Sequence, residues 1–151
     1  MNLVDANLLI YAVDRDSPQH RRALAFVEEC FSSAEPAGLA WVVILAFLRL
    51  TTRAGILERP LSPAASLGLV SEWLELPNVE IVTPGEHHFR ILRNLLEAAG
   101  TAGNLTSDAH LAALAIEKGA TLCSADHDFA RFPGLRYVNP LAPTPRSRRA
   151  R

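Results

Sequence analysis

Three aspartates in separate segments, Asp5, Asp108 and Asp126, have the residue type and the positions that a cation site requires. Asp5 follows the apolar residues 1–4, and Asp126 comes just after residues 120–123; both stretches are predicted to be short strands. Asp108 lies in the first turn of a predicted helix. Sites in open parallel sheets form outside the carboxyl ends of the strands. We therefore expect these three carboxylates to converge.

Carboxylates brought together repel each other, and burial raises their pKa further. A cation among them would offset that repulsion, and Mg²⁺ or Mn²⁺ prefers such an all-oxygen environment. Each acid also has a structural interpretation of its own. Asp108 suits a helix's first turn, where it favours the dipole, and Asp126 and Asp128 are common turn residues. The set of three positions favours the cation site.

The residues at the two ends of the helix that carries Asp108 determine where it starts and stops. Thr106 or Ser107 is predicted to cap it, and Gly119 suits the position just past its end, where φ is positive. An apolar face at helical spacing is formed by Leu111, Leu114 and Ala115. The helix should therefore bury that face and leave Asp108 beside the strand ends.

Three sequence blocks carry a resemblance to a known family. They are VDANLLIYA (4–12), TSDAHLAALA (106–115) and SADHDFARFPGL (124–135). A lone D-x-N is a weak signal, but the three blocks in this order resemble PIN-domain ribonucleases. More narrowly, the chain resembles the VapC-type toxins of bacterial toxin–antitoxin pairs, up to about residue 140. The resemblance implies a three-layer α/β/α fold with a mostly parallel sheet.

The resemblance also implies which residues act. The family's catalytic, metal-binding acids map onto Asp5, Asp108 and Asp126, which would hold Mg²⁺ or Mn²⁺. Asp128 is a candidate fourth acid or outer-shell acid, and Asn7, Ser107 and Ser124 are candidate outer residues. Asn7 lies two residues after Asp5, where it either bonds to the site or caps the following helix. Both interpretations stay open at this point. No histidine or serine nucleophile is required, and His110 and His127 are interpreted as structural or surface residues.

One position departs from the family's pattern. The segment WVVILAFLRLTT (41–52) carries Ala46 where the family normally has a catalytic Glu. One interpretation is an ordinary helix alanine, the residue with the best helix propensity. The other is a lost active-site carboxylate, either engineered or natural, which would impair activity.

The remaining pattern alternates strands and helices, which favours an α/β fold with a mostly parallel sheet. Strands are predicted near 2–4, 37–41, 79–82, 120–123 and 136–138, and helices near 6–13, 18–34, 43–53, 64–76 and 86–99. A last helix is predicted to start after its cap at Thr106 or Ser107 and to end before Gly119. Ser17-Pro18 is predicted to start the second helix. Leu67, Val70 and Leu74 should face inward on the fourth helix, as should Phe89, Leu92 and Leu96 on the fifth.

Composition predicts one domain over residues 1–140. The chain has 151 residues, of which 49% are hydrophobic and 21% charged, and this composition supports a packed core. Residues 141–151 are predicted to be a disordered tail containing Arg146, Arg148, Arg149 and Arg151. Without those four, 11 basic residues face 16 acidic ones, a net charge of −5. A solvated tail is the default interpretation, and RNA contact is the alternative.

Nothing in the sequence reads as a signal peptide or a membrane span, so a soluble, cytoplasmic protein with no membrane association is expected. Cys30 and Cys123 lie in apolar surroundings and are predicted to be buried thiols.

Three function classes follow. The first is a magnesium-dependent endoribonuclease toxin that cuts RNA, is neutralised by a small antitoxin protein and forms a homodimer through helices 18–34 and 43–53. The second, made credible by Ala46, is a non-catalytic module that binds RNA or a partner. The third is a haloacid-dehalogenase-like phosphatase with Asp5 as nucleophile. It ranks last, because Asn7 occupies the place of that class's second Asp.

Overall fold

The computed structural model describes residues 1–143, and the predicted tail from residue 144 onward lies outside the described residues. Its sheet has five strands in the order β3-β2-β1-β4-β5, and every pairing is parallel. The strands are β1 (Asn2–Val4), β2 (Ala37–Ala40), β3 (Val79–Val82), β4 (Thr121–Cys123) and β5 (Arg136–Val138). The predicted parallel sheet is confirmed.

Within residues 1–143, six helices cover this sheet and give the expected three-layer α/β/α arrangement. They are α1 (Ala6–Val13), α2 (His20–Ser32), α3 (Trp41–Thr52), α4 (Pro63–Leu74), α5 (His88–Ala99) and α6 (Thr106–Lys118). Short 3₁₀ turns occupy Gly103–Leu105 and His127–Arg131. Helices α1 to α4 pack on one another, and α5 packs on α6.

The register of the central strands brings two acids to one edge. Val4 on β1 lies beside Cys123 on β4, and the Asp5 amide donates to the Cys123 carbonyl at 3.0 Å. β2 is the other neighbour of β1, and α3 starts directly at its carboxyl end. The ends of β1, β2 and β4 therefore share the edge where the site was predicted.

Helix α6 is more buried than its predicted apolar face required. Ala109 and residues 111–115 are all buried, so nearly its whole circumference packs inside. Gly119 ends the helix with φ 62°, as predicted. The predicted caps were wrong: no side chain of the described residues caps α6, because the Gly103–Leu105 turn already leads Thr106 into helical backbone (φ −60°, ψ −46°).

The start of the second helix was also predicted too early. Ser17 and Pro18 lie in a turn in which the Ser17 hydroxyl accepts the Gln19 amide at 3.1 Å, and α2 begins at His20. The cap-like motif therefore closes a turn before the helix rather than the helix itself.

Two inward-facing predictions were wrong. Leu67 is 56% exposed and Phe89 is 74% exposed. Their neighbours face inward instead: Ser66 pairs with Thr51 at 2.7 Å, and His88 pairs with His110 at 2.9 Å. Successive residues of a helix are about 100° apart around its axis. Because the buried polar residue comes one position before Leu67 or Phe89, the inward face of each helix is rotated by that angle from the predicted face.

Ordered packing continues slightly past residue 140. Leu141 is buried, and Arg22 donates to the Ala142 carbonyl at 2.9 Å. Cys30 and Cys123 are free and buried, as predicted. Among residues 1–143, no helix has both the length and the apolar character needed to cross a membrane.

Candidate active site

The strand half of the candidate site is held together by Ser124, which follows β4 and is fully buried. Its hydroxyl donates to Asp5 Oδ2 at 2.7 Å and accepts from Asn7 Nδ2 and from the Asp126 amide, both at 3.0 Å. One hydroxyl thus links the ends of two neighbouring strands. This network fixes the positions of the Asp5 and Asp126 backbones relative to each other.

Asn7 completes the same network. Its amide nitrogen lies 3.3 Å from Asp5 Oδ2, and its oxygen accepts the Ala125 amide at 3.2 Å. The cap of α1 is instead Asp5, whose Oδ1 accepts the Ala6 amide at 2.7 Å. Of the two interpretations of Asn7, the structure therefore supports contact with the site.

Asp108 approaches from the first turn of α6, the other side of the candidate site. Burial raises the pKa of its carboxyl to about 6, and repulsion from Asp5, Asp126 and Asp128 adds to the rise, with Arg131 opposing it. In the described part of the chain, no hydrogen bond contributes to this shift. The three predicted acids therefore lie within one another's electrostatic reach.

Asp5 has a raised pKa for a similar reason. Burial is the largest cause, and repulsion from Asp126 acts in the same direction. The hydrogen bonds from Ser124 and the Ala6 amide oppose these effects but do not cancel them. Both acids would therefore gain from a nearby positive charge.

The outer positions differ in what they contact. The Asp128 amide donates to Asp126 Oδ1 at 2.9 Å, while the exposed Asp128 carboxylate lies 3.4 Å from Arg131 Nη2. Ser107 is exposed on α6 and makes no side-chain hydrogen bond within the described residues. Asn7, Ser124 and the Asp128 backbone thus belong to the network, whereas Ser107 stands apart.

The donor chemistry fits a hard divalent cation, since every candidate ligand is a carboxylate oxygen. Across residues 1–143, however, no three Asp, Glu, His or Cys side chains stand close enough to form a ready-made metal cage. The charges of the acids influence one another, but their side chains are not arranged as ligands of one ion. Ion binding would therefore require the side chains of these acids to move closer together.

Ala46 lies on α3, half-buried against the core. Its methyl group can neither coordinate an ion nor accept a hydrogen bond. Arg49, nearly one turn later on the same helix, is exposed.

The histidines lie outside the carboxylate network. His88 and His110 bond to each other, and His127 is exposed. Sequence reasoning missed two residues near the acids: Arg131, the cation that opposes the rise in the pKa of Asp108, and Tyr137 on β5. The parallel pairing of β5 with β4 brings Tyr137 close to the acids. The local sequence does not indicate that pairing.

The chain is similar to known proteins in sequence and in fold. The PIN domain family model matches residues 3–135. Ribonuclease VapC37 of Mycobacterium tuberculosis is 44% identical over 142 residues, covering 94% of this chain and 99% of the relative. Ribonuclease VapC33 of the same species is 43% identical, covering 93% and 99%.

A solved structure shows the same fold at low identity. The crystal structure of VapBC2 from Rickettsia felis, bound to a DNA fragment from their promoter, aligns with TM-score 0.65 and 18% identity, covering 91% of this chain and 97% of that one. The family match extends over the blocks that hold the three acids. The chain therefore belongs to the PIN-domain family, among the VapC ribonucleases.

Proposed function

We propose that this chain is a magnesium-dependent endoribonuclease toxin in which Asp5, Asp108 and Asp126 hold the metal. One observation carries the proposal: Asp108 comes from a different segment, yet its pKa is raised to about 6, first by burial and then by repulsion from Asp5, Asp126 and Asp128. A fold that brings like charges together at strand ends has a use for a cation there. The relatives named ribonuclease supply the substrate class, RNA.

The bound Mg²⁺ would screen the anionic phosphodiester and lower the pKa of the water that attacks phosphorus. The chain's own residues orient the ligands. Ser124 and Asn7 hold Asp5 Oδ2, and the Ala6 amide holds Oδ1. Asp108 carries a proton more readily than an ordinary aspartate. It would therefore release that proton when a cation binds.

Ala46 sets the expected activity of this chain. If the position normally holds Glu, the carboxylate would add a charged oxygen that helps orient metal or water. Alanine keeps the helix intact but supplies no polar atom. This chain is therefore a weak ribonuclease that keeps its fold and its partners. The same observation favours the second candidate, a non-catalytic module that binds RNA or a partner.

The deciding experiment compares this chain, Ala46→Glu and the double variant Ala46→Glu/Asp108→Asn on RNA, with Mg²⁺ or with EDTA. Cleavage by Ala46→Glu in Mg²⁺ alone, and its loss in the double variant, would support the enzyme. RNA binding without cleavage by any of the three would support the non-catalytic module. A small phosphate monoester serves as a control substrate and should stay intact.

The partner we propose is a small antitoxin protein. The R. felis neighbour was solved as VapBC2, and this chain has an apolar groove of about 1010 Å³ between α2 and α4. Leu24, Val27, Phe31, Leu69 and Trp73 line it. An antitoxin segment would anchor its apolar side chains there, and an arginine from it would pair with the acids.

Two residues on α4 test this placement. Leu69 lines the groove, whereas Leu67 lies outside that lining and is 56% exposed. After co-expression with the neighbouring small open reading frame, Leu69→Arg should lose the complex in a pull-down and Leu67→Arg should keep it. Equal retention by both variants would exclude the groove.

A homodimer through α2 and α3 completes the proposal. On α3, Trp41 is 52% exposed and Leu45 is 59% exposed, and the two stand one turn apart. An exposed apolar pair of this kind is typical of a contact between proteins. Sedimentation should show a dimer, and Leu45→Arg should shift it to the monomer.

A further inference from the structure

Tyr137 lies near the acids but takes no part in their hydrogen-bond network within the described residues. It lies in the middle of β5, in register with Leu122 of β4, two residues before Ser124. Its ring packs against Phe129 with centroids 6.2 Å apart. Phe129 belongs to the short turn that Asp126 opens. The tyrosine ring is thus packed against the segment that positions Asp126.

The hydroxyl of Tyr137 is buried, and no atom of residues 1–143 forms a hydrogen bond with it. Burial raises the pKa of this phenol, and the nearby charges of Asp126 and Asp5 raise it further. The group therefore stays protonated and can act as a donor. A buried hydroxyl without a hydrogen bond destabilises the fold, so such groups almost always bond to protein or to ordered water.

Asp126 has a matching free acceptor. Its Oδ1 accepts the Asp128 amide at 2.9 Å, while within the described residues Oδ2 accepts nothing. A buried water needs two to four polar partners. The phenol and this carboxylate oxygen supply a donor and an acceptor of the required kinds.

We propose that Tyr137 is a positioning residue: its hydroxyl donates to a buried water that also bonds to the Asp126 carboxylate and orients that carboxylate for the cation. This inference rests on the proposed metal-dependent function. The tyrosine contacts neither metal nor RNA in this account. It acts through Asp126, as outer partners of metal ligands commonly do.

The test uses the two tyrosines of the chain, since Tyr→Phe removes a hydroxyl and keeps the ring. Tyr137→Phe should weaken Mn²⁺ binding about tenfold in titration calorimetry, the lower end of the range for such partners. Tyr11→Phe, a half-buried control on α1, should bind as the parent does. In the Ala46→Glu background, Tyr137→Phe should lower kcat and leave the KM for RNA unchanged.

A merely unpaired hydroxyl gives the opposite result. Its removal would raise the melting temperature and leave the Kd for Mn²⁺ within about twofold, which would overturn the inference while the metal site stands. If the parent chain itself bound no Mn²⁺, the proposed metal-dependent function would fall and this inference with it. Weaker Mn²⁺ binding by Tyr137→Phe at an unchanged or lower melting temperature is the result that we expect.

Discussion

The two halves of the candidate site are held in different ways. In the strand half, Asp5, Asn7, Ser124 and Asp126 are joined by hydrogen bonds of 2.7–3.3 Å. The helix half consists of Asp108 and Ala46. Repulsion from the other acids helps to raise the pKa of Asp108, and no hydrogen bond contributes to that rise. Ala46 has no polar side-chain atom. The strand half is therefore set before any ion arrives, whereas the helix half supplies charge.

This difference separates two kinds of effect. Changes in the strand half should affect folding as well as function, because they leave buried polar groups without partners. Changes in the helix half should affect function while sparing the metal-free fold. The predictions below test that separation.

The largest effect should come from Ala46→Glu, in the helix half. The added carboxylate should raise the Mg²⁺-dependent rate of RNA cleavage by roughly two to four orders of magnitude, or about 3–5 kcal/mol of barrier. It should also make expression toxic. A matched cleavage assay on purified proteins measures this, with Ala46→Gln as the uncharged control. Full activity in the unaltered chain would refute the assignment of position 46.

Metal affinity should fall when an acid in either half is neutralised. Asp5→Asn and Asp108→Asn each remove a charged oxygen, so calorimetry should show at least tenfold weaker Mg²⁺ binding. Their melting temperatures should differ in EDTA. Asp108→Asn should match or exceed the parent, because repulsion is relieved. Asp5→Asn should melt below Asp108→Asn, since an amide cannot accept all the bonds that the Asp5 carboxylate accepts. Unchanged affinity in both would exclude them as ligands.

Ser124→Ala should destabilise the fold by about 1–3 kcal/mol, because it leaves Asn7 Nδ2 and the Asp126 amide without their acceptor. Chemical denaturation measures the loss. Ser107→Ala, the exposed control in the helix half, should change stability by less than about 0.5 kcal/mol. Similar losses in both variants would contradict the contrast between the halves.

The smallest effect concerns pH. The pKa of Asp108 is about 6 in the fold against an ordinary value of 3.8, so the folded state holds the proton more tightly. This contribution to stability is present below about pH 4 and is lost as pH rises through about 6. In EDTA, the loss of unfolding free energy from pH 4 to pH 7 should therefore be smaller in Asp108→Asn than in the parent. Saturating Mg²⁺ should reduce this difference, because a cation favours the ionised form.

Much of the strand half could be predicted from the sequence. Asp5 and Asp126 follow short apolar stretches, and a parallel sheet brings such ends together. Ser124 and Asn7 lay close enough in sequence to be named as outer residues. Their shared hydrogen bonds could not be predicted, because they depend on the β1–β4 register.

The two wrong predictions of inward-facing residues arose where polar side chains are buried. Ser66 with Thr51 and His88 with His110 occupy inward positions that a pattern of apolar residues assigns to Leu67 and Phe89. The position of Tyr137 beside the acids could not be predicted either. Its closeness to Asp126 and Asp5 comes from strand order, which the local sequence does not encode.

The most direct test of the central claim is a crystal structure of the parent chain soaked in Mn²⁺, read by anomalous scattering. We predict a peak within coordination distance of a carboxylate oxygen of Asp108 and of at least one of Asp5 and Asp126. Such a peak would show that the side chains of the two halves come together around one cation. A peak that leaves Asp108 unbound at full occupancy, or no peak near these acids, would contradict the account.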